Sequence, residues 1–346
     1  TTDNTSTSGN LKAGTYSNKQ TLLLDGADAG NYTFGGTVGD YTVSTLTLEG
    51  VLGAGSSAYG ASLVPGAVTF GNKVTGDVVN SATVAVSTSG NTSTSGNLKA
   101  GSYTGIQSVS STLSGTDAAN YTFGGTVGDY TVSTLSLAGV LGAGSTVYGA
   151  SLVPGAVTFS NKVTGDTVTA ATPTITTTGN TSTSGNLKAG SYTGIQSVSS
   201  TLSGTDAANY TFGGTVGDYT VSTLSLAGVL GAGSTVYGAS LVPGAVTFSN
   251  KVTGDTVTAA TPTITTTGNT STSGNLKAGS YTGIQSVSST LSGTDAANYT
   301  FSGATGDYEV SKLALTGSIG ESSSYYSSTL VPGALTFSNK ITNDLV

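Results

Sequence analysis

Five residue types are missing from this 346-residue chain: Cys, His, Arg, Met and Trp. Without Cys there is no disulfide and no thiolate nucleophile, and without His there is no imidazole base. The usual Cys and His ligands of zinc are missing with them. The acidic residues form no cluster along the sequence, so we predict that the protein is not an enzyme and has no catalytic or cofactor-binding residues. A chain free of Cys also suits a large secreted protein that crosses an oxidising space.

Charge is scarce as well: charged residues make up 8% of the chain and the formal net charge is −7. Every cation is a Lys, and the Lys residues lie singly, so there is no basic patch to bind a phosphate backbone. We therefore expect no nucleic-acid partner. No apolar run approaches the roughly 18 to 20 residues that span a bilayer, so no membrane span is predicted. The opening TTDNTSTSGN lacks the basic and apolar regions of a signal peptide, and we expect the sequence to be part of a longer chain.

What the chain does contain is an internal repeat. The tetrapeptide NYTF begins at Asn31, Asn120, Asn209 and Asn298, so each copy starts 89 residues after the one before. A period of this length exceeds the 20 to 50 residues of a solenoid coil and suits a small autonomous domain. The repeat therefore predicts a tandem array of domains.

The stretch DYTVSTLSLAG indicates where one unit ends. Its apolar residues change step, since Tyr219 and Val221 occupy odd positions whereas Leu224 and Leu226 occupy even ones. In an extended chain these two pairs point to opposite faces. We interpret the step as the boundary between two units, with Tyr219 and Val221 facing the core of the preceding unit and Leu224 and Leu226 that of the following one.

This frame predicts five segments, which we call repeats: residues 1-44 (the C-terminal part of a unit), 45-133, 134-222, 223-311 (three whole units) and 312-346 (the N-terminal part of a unit). The boundary at Ser222 and Thr223 contains no Gly or Pro, unlike a flexible linker. We expect short, stiff junctions and an array that is a rod.

Within residues 134-222, runs rich in Val, Thr, Ile and Tyr are separated by Gly, Asn, Asp and Pro, and no segment has a helical period. Six or seven short strands are predicted, the number typical of an Ig-like antiparallel β-sandwich. We expect a type II turn or bulge at Pro154-Gly155, a turn at Gly165-Asp166, and an edge strand or bulge at Pro173. The predicted core consists of Tyr192, Tyr210, Phe212, Tyr219, Phe159, Leu135, Leu137, Val157, Ile175, Ile195 and Val221.

Four short motifs occur in a fixed order in each unit: Tyr148-Gly149, Gly190-Ser191-Tyr192, Asn209 to Phe212, and Tyr219 to Val221. Together they resemble the MBG repeats of the YGX type, which recur in giant bacterial surface proteins, including filamentous-haemagglutinin-like and two-partner-secreted adhesins. The resemblance implies a small all-β module used as a stalk or spacer, secreted or on the bacterial cell surface. The last copy departs from the pattern, with Tyr326-Ser327 in place of Tyr-Gly.

Three residue sets could carry chemistry. Asp206, Asp218 and Asp255 recur in each unit and could supply oxygen ligands for Ca²⁺, although no D-x-D-x-D loop is present. We favour a role in turns for these Asp residues. Lys251, Asn209 and Asp218 could form a Lys-to-Asn isopeptide bond, but that reaction needs a buried Lys, and Lys251 lies next to a predicted turn where exposure is expected.

The third set is the Thr-rich run from Thr174 to Gly185, which could form a flat array that binds ice or sugar. It occurs once per 89 residues rather than in every coil of a stack, so we favour an ordinary exposed strand. The N-x-S/T sequences at NTST and NYT are nominal glycosylation sites.

Two functions agree with these observations. The first is a non-catalytic stalk that extends an adhesive or assembly tip away from a bacterial cell. The second is a self-associating extracellular filament or adhesin module that binds neighbouring chains, surface glycans or matrix directly through strand edges or Tyr-bearing faces.

Overall fold

The computed structural model describes residues 4–346, and within this range the protein is all-β, as predicted. Its helical content is confined to single 3-10 turns such as Ala207–Asn209 and Ala296–Asn298, each just before the Tyr of an NYTF motif. Among the residues described there is no helix of the length and apolar character needed to cross a membrane.

The strands recur with the sequence repeat. The leading segment contains β1 (Gly14–Leu22) and β2 (Thr37–Val43). Residues 45-133 contain β3 (Leu46–Thr47), β4 (Gly50–Leu52), β5 (Gly55–Ala58), β6 (Val68–Phe70), β7 (Asn80–Ser81), β8 (Ala85–Val86), β9 (Gly101–Val109), β10 (Leu113–Ser114), β11 (Tyr121–Thr122) and β12 (Thr126–Ser133).

Residues 134-222 contain β13 (Leu135–Ser136), β14 (Gly139–Leu141), β15 (Gly144–Val147), β16 (Val157–Phe159), β17 (Thr169–Ala170), β18 (Thr174–Ile175), β19 (Gly190–Val198), β20 (Leu202–Ser203), β21 (Tyr210–Thr211) and β22 (Thr215–Ser222). Residues 223-311 contain β23 (Leu224–Ser225), β24 (Gly228–Leu230), β25 (Gly233–Val236), β26 (Val246–Phe248), β27 (Thr258–Ala259), β28 (Thr263–Ile264), β29 (Gly279–Val287), β30 (Leu291–Ser292), β31 (Tyr299–Thr300) and β32 (Ala304–Ser311). The trailing segment contains β33 (Gly317–Ile319) and β34 (Leu335–Phe337).

Each whole repeat has more strands than predicted, because several predicted runs break into two-residue pieces and β15, with its equivalents, was not predicted. The largest sheet has the order β5-β12-β9-β8 in residues 45-133 and β25-β32-β29-β28 in residues 223-311. The sheets are mixed, which corrects the purely antiparallel arrangement predicted above. The first strand of the large sheet runs parallel to the last, as β25 does to β32, while β29 and β32 are antiparallel.

The chain forms two compact units. One comprises the chain up to Val140 with Val157–Thr172 and Val198–Thr215, and the other comprises Leu141–Ala156, Pro173–Ser197 and Val216–Val346. The predicted boundary at Ser133 lies inside the first unit and the boundary at Ser222 lies inside the second. Both boundaries are therefore places of close packing within a unit.

The predicted core residues are confirmed. Tyr219 and Val221 are 0% and 3% exposed, and Leu137, Tyr210 and Phe212 are also buried. The remaining predicted residues are partly buried against the same clusters: Tyr192, Ile195, Ile175, Leu135, Val157 and Phe159. Sequence reasoning missed Tyr148, Leu187 and Val198, which are equally buried.

Local predictions at glycine and proline had mixed outcomes. Gly165 has φ +96° and the amide of Asp166 donates to the Val163 carbonyl, so the turn is confirmed. Pro173 precedes β18, an edge strand, as expected. The type II turn considered at Pro154-Gly155 is absent, because Gly155 does not have a positive φ. Glycine is required there for close approach, since a Cβ would lie 1.9 Å from the carbonyl oxygen of Gly142.

Candidate functional site at the seam between consecutive repeats

We call the point between Ser222 and Thr223, and the equivalent point between Ser133 and Thr134, the seam. Strand β22 ends at Ser222 and β23 begins at Leu224, so Thr223 alone separates the last strand of one repeat from the first strand of the next. The short connection predicted from the sequence is present. A cluster of buried polar side chains surrounds it, built from both repeats.

The centre of this cluster is the carboxylate of Asp255, which is 5% exposed. Tyr148, from the repeat before the seam, donates its hydroxyl to Asp255 Oδ2. Tyr299, from the repeat after the seam, donates to the same oxygen at 2.6 Å. The other oxygen, Oδ1, accepts the backbone amide of Ser184 at 3.1 Å. One carboxylate thus joins groups from both sides of the seam.

The two tyrosine rings also contact each other. The centroids of Tyr148 and Tyr299 are 5.2 Å apart with an interplanar angle of 77°, a favourable edge-to-face arrangement. The Tyr299 oxygen accepts the backbone amide of Val252 at 3.1 Å, and the Ser182 hydroxyl lies 2.6 Å from the Tyr148 oxygen. Each phenol therefore donates one hydrogen bond and has a second polar neighbour, as buried tyrosines require.

The preceding seam repeats this arrangement. Tyr59 and Tyr210 both donate to Asp166 Oδ2, the latter at 2.6 Å, and the amide of Ser95 donates to Oδ1 at 3.2 Å. The rings of Tyr59 and Tyr210 are 5.2 Å apart at 78°. The geometry is thus a property of the repeat and not of one copy.

A second carboxylate supports each seam. Asp295 accepts the amide of Thr183 at 3.2 Å on Oδ1, and it accepts the Thr183 hydroxyl and the Thr256 amide on Oδ2. Thr183 lies before the seam, whereas Thr256 and Asp295 lie after it. Asp206 holds Thr94 and Thr167 in the same way at the preceding seam.

An asparagine completes the set of polar contacts. The side-chain oxygen of Asn298, 2% exposed, accepts the backbone amide of Ala189 at 2.9 Å. Asn209 accepts the amide of Ala100 at the same distance at the preceding seam. The segment DAANY therefore supplies Asp295 and Asn298, which accept hydrogen bonds from the preceding repeat, and Tyr299, whose ring contacts Tyr148 of that repeat.

The glycine of each Tyr-Gly pair has a steric role. Gly149 has φ +82°, a left-handed conformation that disfavours side chains. A Cβ on Gly149 would lie 2.7 Å from a methyl carbon of Val252, on the other side of the seam. Gly60 has the same relation to Val163. The Tyr-Gly pair thus provides a hydroxyl for the carboxylate and an open space for the valine.

Apolar packing is also continuous across the seam. Tyr219 and Val221 before it belong to one buried cluster with Leu226, Val257 and other residues after it. The change of step in DYTVSTLSLAG was interpreted as a boundary between two cores, and the prediction of two separate cores needs correction. The two faces contribute to one cluster, which stabilises the seam by burying apolar surface.

The pKa values reflect these contacts. Burial by itself raises the pKa of Asp255, but hydrogen bonds from Ser184, Tyr148 and Tyr299 outweigh burial and hold the pKa below its ordinary value. Burial raises the pKa of Tyr148, and its hydrogen bond to Asp255 raises it further. The structure thus favours a charged carboxylate and neutral phenols, the protonation states in which every phenol donates.

The three Asp residues considered for Ca²⁺ are not brought together. Asp255 and Asp206 belong to different seams, where amide and hydroxyl donors occupy their oxygens. Asp218 is exposed and accepts the amide of Gly194 at 2.9 Å. Across residues 4–346 no three side chains of the His, Cys, Asp or Glu type are grouped to hold a metal.

The isopeptide set is not assembled either. Lys251 and Asp218 are exposed, whereas Asn209 is buried and binds Ala100. The buried Lys that the reaction needs is therefore absent from this set. Exposure of Lys251 agrees with the prediction from its place next to a turn.

The Thr-rich run is not a flat array. Only Thr174–Ile175 is strand, and the chain then turns, with an isolated bridge between Thr181 and Leu187. Its residues Ser182, Thr183 and Ser184 contact Tyr148, Asp295 and Asp255. The preferred interpretation as an ordinary exposed strand was therefore also wrong, because this loop forms part of the seam.

Sequence reasoning named Tyr148 as part of a motif and Asp166 as part of a turn, but it missed that these residues form the seam clusters. One signal was available: STSG and VTGD recur together in the sequence, and both supply short polar side chains next to glycine. Local sequence does not show which of the seam residues meet, because partners such as Tyr148 and Asp255 are 107 residues apart.

Comparison with models of known protein families gave no match, and comparison with curated proteins gave none either. The resemblance to MBG repeats therefore rests on the motifs quoted above and stays a prediction.

Proposed function

We propose that this chain is a non-catalytic stalk segment of a large bacterial cell-surface or extracellular filamentous protein, which extends an adhesive or assembly tip away from the cell. The observation that carries the proposal is the seam. Consecutive repeats share a buried cluster in which Asp255 binds Tyr148 on one side and Tyr299 on the other. Copies joined in this way keep a fixed relation to their neighbours, and copy number then sets length.

We further propose that each 89-residue repeat is an Ig-like β-sandwich domain. The four-stranded sheet β25-β32-β29-β28 supports this fold, because strands near both ends of the repeat contribute to it. The separate pairs β24-β26 and β27-β30 support it too, because they place other strands of the repeat outside that sheet. Early strands divided between two sheets are typical of such sandwiches.

The resemblance to MBG repeats supports a secreted or cell-surface location. The motif Tyr148-Gly149 that carries the resemblance is also the pair that contacts Asp255 and Val252 across the seam. A role in joining domains gives this motif a physical reason to recur in each copy. Neighbouring repeats are then its main partners, with no cofactor required.

The test measures how firmly one seam holds its two repeats. Because the chain has no Cys, two introduced cysteines can be spin-labelled without background. Thr193 and Thr261 are exposed and lie on opposite sides of the seam at Ser222. We expect a narrow distance distribution between labels on Thr193→Cys and Thr261→Cys, and a much broader one after Gly-Gly is inserted between Ser222 and Thr223.

The matched control places both labels in one repeat, on Thr261→Cys and Ser286→Cys, where the insertion should leave the distribution unchanged. A broad distribution across the native seam would contradict the stalk proposal. So would an insertion that left the seam distribution as narrow as before.

A second function is favoured by valines that stay exposed in every repeat. Val51 and Val229 are 65% and 64% exposed, and Val64 and Val242 are 61% and 65% exposed. Apolar side chains that stay exposed at the same positions of each whole repeat are available to contact a second chain or a surface. The chain would then be a self-associating filament or an adhesin module. Sedimentation of the full chain over a range of concentrations, with a glycan-binding screen, tests it, and a monomer at all concentrations without glycan binding would exclude it.

A further inference from the structure

In each whole repeat, two early strands lie beside late strands and run parallel to them. In residues 223-311, β25 pairs with the end of β32, with Gly233 opposite Tyr308 and Val236 opposite Ser311. In residues 45-133, β5 pairs with β12 in the same register. A second parallel pair joins Leu224 to Tyr299. Strands near the two ends of a repeat are thus bonded directly to each other.

This arrangement determines how a repeat responds to tension. Pulling apart Thr223 and Ser311 loads β23 first and then β25, and it draws both toward their N-terminal ends while β32 is drawn toward its C-terminal end. In a parallel pair these directions are opposite along one shared axis, so the strands can separate only by sliding. The hydrogen bonds of the ladder are then loaded together. Pulling the two strands apart from one end would instead break the hydrogen bonds of the ladder one after another.

The seam extends the same ladder. The amide of Tyr148, the residue after β15, donates to the carbonyl of Ser222 at 2.8 Å, at the end of the parallel pair formed with β22. The hydroxyl of Tyr148 binds Asp255 in the next repeat. Tyr148 therefore contacts both sides of the seam, and it links the load-bearing strands of one repeat to its neighbour.

We propose that each whole repeat is a tension-bearing unit, in which the parallel pairing of early with late strands, above all β25 with β32, is the element that resists force applied along the chain. This inference deepens the proposed stalk function and rests on it for its biological meaning. The mechanical property itself follows from strand direction and can be measured independently.

The experiment pulls one repeat of the full chain in two directions. Cysteines at Thr223→Cys and Lys312→Cys attach handles at the two ends of residues 223-311, so the parallel strands are sheared. Cysteines at Ser240→Cys and Lys312→Cys attach both handles near the same end of the β25 and β32 pair, so the strands are peeled apart. All three positions are exposed, and the native chain has no Cys to compete.

We expect a rupture force at least about twofold higher for the Thr223 and Lys312 pair than for the Ser240 and Lys312 pair at equal loading rate, because shear loads several bonds at once. Urea unfolding of the two variants should coincide, which shows that direction and not stability causes the difference. Equal forces, or a lower force in shear, would overturn the inference.

The outcomes separate this inference from the stalk proposal. A narrow label distribution at the seam with no directional difference in force would leave a stalk that does not bear tension through these strands. A directional difference with a broad seam distribution would leave a tension-bearing repeat in a flexible chain.

Discussion

The seam at Asp255 and the interior of the repeat at Gln285 each contain a buried polar side chain, but the two side chains have different hydrogen-bond partners. Both place a polar side chain in a buried position, with Asp255 5% and Gln285 0% exposed. Asp255 is charged and binds side chains from two repeats, whereas Gln285 is neutral and binds the backbone of its own repeat. The seam therefore depends on side-chain chemistry, and the interior depends on backbone geometry.

Gln285 holds three strands or loops together. Its Oε1 accepts the amide of Gly244 at 2.7 Å, and its Nε2 donates to the carbonyls of Gly231 and Asp307 at 3.2 and 2.5 Å. Glycines allow this approach, since a Cβ on Gly233 would lie 2.6 Å from the ring of Tyr308. A buried amide with three backbone partners leaves no room for larger residues around it.

The largest expected effect comes from breaking the interior. In Gly244→Ala, the new Cβ would lie 1.9 Å from the Gly231 carbonyl oxygen, so the backbone must move and the Gln285 contact is lost. We expect the free energy of unfolding in urea to fall by about 3 kcal/mol or more. Gly213→Ala is the matched control, since a Cβ there meets nothing within 4 Å, and the last copy has Ser302 at the equivalent position. Equal effects of the two changes would contradict this comparison.

A smaller loss is expected from removing one hydroxyl at the seam. Tyr148→Phe keeps the ring against Tyr299 but removes a hydrogen bond to the charged Asp255, which stabilises by about 1.5 to 3 kcal/mol. Tyr192→Phe is the control, because that hydroxyl binds only the Lys188 carbonyl in an exposed position. Urea unfolding of both variants, and of each combined with Asp255→Asn, measures the coupling. Additive effects of the Tyr148 and Asp255 changes would show that the two groups do not interact.

The smallest expected effect is a difference between the seams and the repeat interior in how their stability depends on pH. Asp77 accepts the amide of Ser8 from the leading segment. Its pKa lies at about 2: burial raises the pKa, but hydrogen bonds from Ser8, Tyr121 and Ser6 outweigh burial. A carboxyl whose pKa is lower in the folded than in the unfolded chain stabilises the fold when the pH is above the unfolded pKa, near 4. This stability is lost as pH falls toward about 2, the folded pKa. The raised pKa of Tyr148 has the opposite consequence, with stability complete below about pH 10 and lost above it.

Urea unfolding between pH 2 and pH 11 should therefore show a plateau with a loss at each end. Gln285 does not titrate, so the acid loss should come from the seams and should be smaller in Asp255→Asn. An unchanged acid loss in that variant would assign the pH dependence to other carboxyls.

Several features of the fold could be predicted from the sequence because they depend on neighbouring residues. The period follows from NYTF, and alternation along Tyr219 and Val221 correctly predicted buried positions. A change of step in a strand moves side chains to the other face, so the sequence predicted a repeat boundary at Ser222, and that boundary stays a prediction. The turn at Gly165 followed from local turn chemistry.

The seam cluster could not be predicted in the same way. Asp206 and Asp255 were recognised only as recurring acids, and Gly155 was assigned a turn that the structure does not have. Their actual roles depend on groups distant in sequence, such as Thr94 for Asp206 and Gly142 for Gly155. Turn propensity describes a residue with its immediate neighbours and contains no information about these partners.

The sequence by itself determined the all-β class and the 89-residue period, because period and alternation are local properties of the chain. Only the tertiary structure decided that β25 lies parallel to β32 and that Asp255 joins Tyr148 to Tyr299. Parallel pairing and the seam both bring together residues far apart in the sequence, with 107 positions between Tyr148 and Asp255 and 44 between Asp255 and Tyr299. Packing alone selects which of the repeated, nearly identical groups meet.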